Sequence, residues 1–71
     1  AIQENRKQIA KCEKRITELE AQVQQLESQI EAATLSGDSW KIADLSRELN
    51  RAQQEIETQF AEMERLDSLS R

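Results

Sequence analysis

Apolar side chains recur along this chain in two heptad series separated by a short polar break. In the first half Ile2, Ile9, Ile16, Val23 and Ile30 fall seven residues apart, and Cys12, Leu19, Leu26 and Ala33 follow the last four of these by three. That is the a/d pattern of a coiled coil held for more than four heptads, with Asn5 the one polar member of the d row. The second half has Ile42, Leu49, Ile56 and Met63 at a, with Leu45, Ala52 and Leu66 at d. Gln59 interrupts that d row opposite Ile16, and Phe60 beside it is expected to cover the gap. The periodicity predicts helices over about residues 2–35 and 39–69, joined by a turn at 36–39.

The break reads Ser36-Gly37-Asp38-Ser39 and holds the only glycine. Glycine tolerates the left-handed backbone that ends a helix, and Asp38 or Ser39 can accept N–H bonds as the cap of the next one. Counted outward from Gly37, apolar residues pair with numbers that sum to 75: Ala33 with Ile42, Leu26 with Leu49, Leu19 with Ile56, Ile9 with Leu66. A constant sum is what two antiparallel helices folded at Gly37 require. The predicted fold is therefore all-α, a two-helix antiparallel coiled-coil hairpin spanning 1–71 as a single unit. In this register Arg15 is expected near Glu62. Leu35 and Trp40 also sum to 75, which predicts an apolar plug stacked across the turn. The other reading of Trp40 is an exposed tip aromatic that stacks on a base or docks on a protein.

Two other assemblies compete with the single hairpin. Isoleucine at a with leucine at d suits parallel dimers, but a continuous helix would carry Gly37 in its interior at a cost of about 1 kcal/mol. The heptad phase also slips there, since Ile30 predicts the next a positions at 37 and 44 rather than at 42 and 49. Pairing of two hairpins into a four-helix bundle remains open, because a two-helix core is narrow. The expectation for the chain is a monomer or a weak dimer.

Composition narrows function mostly by exclusion. Of the 71 residues, 37 % are hydrophobic and 34 % charged, with Trp40 and Phe60 the only aromatics and no proline. That is the make-up of long helices and not of a compact globule. No apolar run approaches the roughly 20 residues of a membrane span. The chain opens at Ala1 and not at methionine, which suggests a piece of a longer protein. Cys12, the lone cysteine, sits on the core stripe and reads as a small buried hydrophobe; a bridge between copies or a reactive thiol would need exposure. With no histidine and one glycine, zinc sites, nucleophile–base pairs and glycine-rich phosphate loops are excluded, and a two-helix rod offers no water-poor cleft for a carboxylate pair. No catalytic, cofactor-binding or metal-ligating residue is expected, and the fragment is not read as an enzyme.

Charge distribution says more than the net charge of −4. Arg6, Lys7, Lys11, Lys14 and Arg15 carry half of the ten positive charges and gather at the open end of the hairpin. They form either a solvated face balanced by Glu62, Glu64 and Asp67 or a weak contact for phosphates, and these are the candidate nucleic-acid residues. Gly37, Asp38 and Trp40 mark the turn and tip.

The stretch Ile16-Thr17-Glu18-Leu19-Glu20-Ala21-Gln22-Val23, the turn Ser36-Gly37-Asp38-Ser39-Trp40 and the closing Phe60-Ala61-Glu62-Met63-Glu64-Arg65-Leu66 resemble the C-terminal coiled-coil domain of the ABC-F family. These are duplicated ATP-binding-cassette ATPases without a membrane part. In that family an aromatic follows the turn, as Trp40 does, and the second helix ends in an aromatic-x-x-Trp-x-x-Leu stretch. Here Phe60 and Leu66 fit while Met63 stands at the tryptophan position. The resemblance implies a non-catalytic accessory arm of a cytoplasmic ATPase acting in translation or DNA handling. It implies ATP and magnesium bound outside these residues, and contact with ribosome, RNA or DNA through the arm. The alternative is a protein-interaction or oligomerisation coiled coil, a spacer or a chaperone-like arm, with Phe60 and Leu69 extending the core toward a second hairpin.

Overall fold

The computed structural model describes residues 2–69 of the chain, with side chains from residue 4; the Ile2 side chain, first of the a row, lies outside the described residues. It is the expected antiparallel hairpin: α1 runs Ile2–Ser36 and α2 runs Ser39–Leu69. At 1.5 Å per residue the longer helix spans about 52 Å, which matches the 53 Å long axis of a body only 14 Å and 11 Å across.

The turn is shorter than the sequence suggests, with only Gly37 and Asp38 outside the helices. Ser36 stays in α1, where its hydroxyl donates to the Ala32 carbonyl at 2.9 Å, a bond compatible with helical backbone. Gly37 then adopts φ +72°, the one left-handed residue among those described. Its N–H donates to Thr34 O at 3.2 Å and the Asp38 N–H donates to Ala33 O at 3.1 Å. This pair of bonds is the Schellman closure that satisfies carbonyls at the end of a helix. Asp38 simultaneously starts α2. Its carboxylate accepts the Lys41 N–H at 3.1 Å and its carbonyl accepts the Ile42 N–H at 3.0 Å. One residue thus closes one helix and caps the next, which makes the reversal tight.

Along the seam the d rows are buried: Cys12, Leu19, Leu26 and Ala33 from α1, with Leu45, Ala52 and Leu66 from α2. Leu26, Ala33 and Leu45 pack with Ile30, Ile42 and Leu49 into one cluster near the turn, in keeping with the pairing that sums to 75. Cys12 is a buried free thiol, as its position on the stripe predicts. The a rows behave differently. Ile9, Val23, Ile30, Ile42, Leu49, Ile56 and Met63 are all only half-buried, and Ile16 alone among them is fully buried.

Helical geometry relates this asymmetry to the two flanks. Successive residues turn by about 100°, so position e lies about 40° from a, and g about 60° from d. In an antiparallel pair the two e rows share one side and the two g rows the other. The buried d layer therefore lies under the g side, and the half-exposed a layer opens onto the e side. Phe60, at e and level with Ile16, is the large apolar residue of that side and is itself half-exposed.

The g side is tied down by ion pairs. Arg15 Nε donates to Glu55 Oε2 at 2.6 Å and its Nη2 donates to Glu55 Oε1 at 3.1 Å, a fork between g positions of the two helices. Arg15 also lies 3.6 Å from Glu18. This corrects the expected Arg15–Glu62 pairing. Glu62 is instead held by Arg65 one turn along α2, whose Nε donates to it at 3.0 Å, leaving Arg15 to take the g-position glutamate one heptad nearer the turn.

Leu35 and Trp40 correct a second expectation. They do not plug the turn: Leu35 is 86 % exposed and Trp40 84 %. Both occupy f positions, which point away from the partner helix. The constant sum fixes their common level along the axis and says nothing about the direction in which they project.

Candidate nucleic-acid interface

The five basic residues near the start of α1 do not form one patch. Lys7, Lys11 and Lys14 are spaced i, i+4, i+7, so they fall on one stripe at c and f, directly opposite the seam. All three are exposed, and none has an acidic partner among the described residues. Arg6, also exposed, sits at e and belongs to the opposite flank. Arg15 sits at g and its guanidinium is committed to Glu55 and Glu18. The hydrogen bond from Arg15 holds the Glu55 carboxyl below its ordinary value of 4.5, against a smaller opposing effect of desolvation. The same bond, with the charges of Glu55 and Glu18, raises the guanidinium further from deprotonation. Binding a phosphate through Arg15 would require breaking a two-pronged contact that already satisfies it.

At the other end of the molecule the tip presents Trp40 fully to solvent beside the closed Gly37–Asp38 turn. Asp38 is occupied in capping α2, so the tip offers an aromatic face and no cluster of cations. A shallow groove on the g side is lined by Arg15, Gln22, Glu48, Arg51 and Glu55, with mixed charge along its length. Among the described residues, no group of three or more His, Cys, Asp or Glu side chains converges as a metal site. No described helix is long and apolar enough to cross a membrane.

One feature of the surface escapes a reading based on net charge, although the heptad letters contain it. Acidic residues differ by side in their pairing. Glu13, Glu20 and Glu27 take successive e positions of α1, and Glu31, Glu57 and Glu64 take the neighbouring b positions. All six are exposed and none joins an ion pair among the described residues. Every ion pair found lies instead on the g, c and f positions. Carboxylates thus fall on both sides: Glu4, Glu18, Asp44, Glu48, Glu55 and Glu62 take g and c positions, with Glu4 and Glu18 beside the lysine stripe. What distinguishes the e side is that none of its glutamates joins an ion pair among the described residues.

A rigid two-helix arm, basic on its outer face at the open end and aromatic at its tip, is the class of domain that this geometry defines. The chain belongs to the ABC transporter C-terminal domain family, whose model matches residues 3–68. No curated protein and no solved structure matches it. The chain is accordingly a C-terminal arm of an ATP-binding-cassette protein.

Proposed function

We propose that this hairpin is the non-catalytic C-terminal arm of an ABC-F type ATPase and that it touches ribosomal RNA or another nucleic acid through Lys7, Lys11 and Lys14. The observation that carries the reading is the alignment on the outward face of α1 of three lysines that have no acidic partner among the described residues. Ammonium groups without carboxylate partners are free to displace counterions from phosphates, which is the main source of affinity for a nucleic-acid backbone. Although the net charge is −4, Lys7, Lys11 and Lys14 concentrate positive charge on the outer face of α1 between Glu4 and Glu18, so a duplex lying there meets three cations locally. The tip contributes through Trp40, whose exposed indole can stack on an unpaired base about 40 Å from the lysines along α1.

Three phosphate contacts make a weak binder, so the arm supplements a larger protein and does not anchor it alone. ATP and magnesium, in this reading, are held by cassette domains outside these residues, and the site of action is the cytoplasm. The test is association with ribosomes and with short RNA and DNA duplexes. A chain carrying Lys7→Glu, Lys11→Glu and Lys14→Glu is expected to lose binding, whereas Arg15→Gln retains it. Equal binding by the triple variant and the parent chain would discard the proposal.

A further inference from the structure

We propose that the e side of the hairpin is a docking face for a third helix, a basic amphipathic segment of a partner protein. The inference is independent of the lysine stripe, which lies on a different face, so either reading can fail without the other. Three observations converge on it. The a-row residues Val23, Ile30, Leu49 and Ile56 are only half-buried although their d-row neighbours are covered. Phe60 is 52 % exposed on the same side. A strip of this length, apolar at heptad spacing, is the surface that a three-stranded coiled coil closes with its third helix.

The charges flanking the strip select its occupant. Glu13, Glu20 and Glu27 stand seven residues apart, about 10 Å per step, and run beside the strip without joining an ion pair among the described residues, with Arg6 one heptad beyond Glu13 the one basic residue on their row. A helix carrying lysine or arginine at the same heptad interval, next to its own apolar row, would complement both features. A second copy of this chain would not. Face to face, its e side brings glutamates against glutamates, and its basic stripe at Lys7, Lys11 and Lys14 has no apolar row beside it to fill the strip. A nucleic acid is repelled by the same carboxylates. The g side offers no equivalent, because its charges already neutralise one another through Arg15, Glu55, Glu62 and Arg65.

The probe is a synthetic peptide of about three heptads with isoleucine at a, leucine at d and lysine at e and g, compared with the same peptide carrying glutamate at e and g. Binding to the whole chain is followed by amide chemical shifts, with the mass of the complex from sedimentation. The expected result is a one-to-one complex with the lysine peptide, perturbing Val23, Ile30, Ile56 and Phe60, and at least tenfold weaker binding of the glutamate peptide. Glu13→Lys, Glu20→Lys and Glu27→Lys together are expected to reverse that preference; these residues are exposed, and helicity verifies that the variant folds. The proposal is overturned by equal affinity for the two peptides, by shifts confined to the g side, by an unchanged preference in the triple variant, or by hairpins dimerising through the e side without peptide.

Discussion

Gly37 is the residue on which the chain reverses, and its requirement is conformational and not spatial. A Cβ built there meets nothing within 4 Å, yet the backbone sits at φ +72°. Gly37→Ala is therefore expected to cost about 1 kcal/mol through left-handed strain alone, and Gly37→Asn less, as measured by urea unfolding of helicity. Loss of the Asp38 cap by Asp38→Ala should cost about another 1 kcal/mol. Leu19 is 2 % exposed, and Leu19→Ala is expected to cost about 2–4 kcal/mol, a large part of what a two-helix core supplies. Trp40→Ala should leave the unfolding midpoint unchanged within error, because at 84 % exposure its ring packs on little. A substantial loss of stability would show that Trp40 covers the turn after all. This residue also shows where the sequence misleads. Its level opposite Leu35 was legible from the sum rule, but its direction depends on the heptad letter f, which an argument from level alone leaves out.

At the scale of the helices, the hairpin and its register were legible because two signals agree: a glycine at a slip of heptad phase, and core positions of constant sum. The choice of ion-pair partner was not. Arg15 has Glu18, Glu55 and Glu62 as candidates at compatible positions, and the outcome turns on whether Glu62 is already held by Arg65, a competition that spacing alone does not rank. The Arg15–Glu55 fork carries its own prediction. A carboxyl whose folded value lies below its unfolded one stabilises the fold above the unfolded value, and that contribution disappears as pH falls through the folded value. The stability difference between the parent chain and Arg15→Gln should thus be fully present at neutral pH and shrink on acidification below about 4.5, the ordinary value for Glu55. A difference that stays constant from pH 7 to pH 3 would mean that the fork contributes nothing to folding. Solvent screens exposed pairs of this kind, so the fork selects antiparallel register more than it adds stability.

At the scale of the whole molecule, the hairpin is a stiff rod whose sides differ in chemistry. One outer face at the open end carries Lys7, Lys11 and Lys14, the g side mixes charges of both signs linked by ion pairs, and the e side sets glutamates beside the half-buried a row. The three lysines give an acidic chain one locally positive face. They also make the proposed contact quantitative. If the three lysines each neutralise one phosphate of a duplex, the logarithm of the association constant should fall against the logarithm of salt concentration with a slope of about −2.7. Raising salt from about 50 to 200 mM would then weaken binding about forty-fold. The measurement that tests the account most directly is this slope, taken for the chain on a short RNA duplex. A value between about −2 and −3, abolished by charge reversal at Lys7, Lys11 and Lys14, is the predicted result. A slope near zero, or one steeper than about −4, would contradict it, because the stripe supplies three cations and no more.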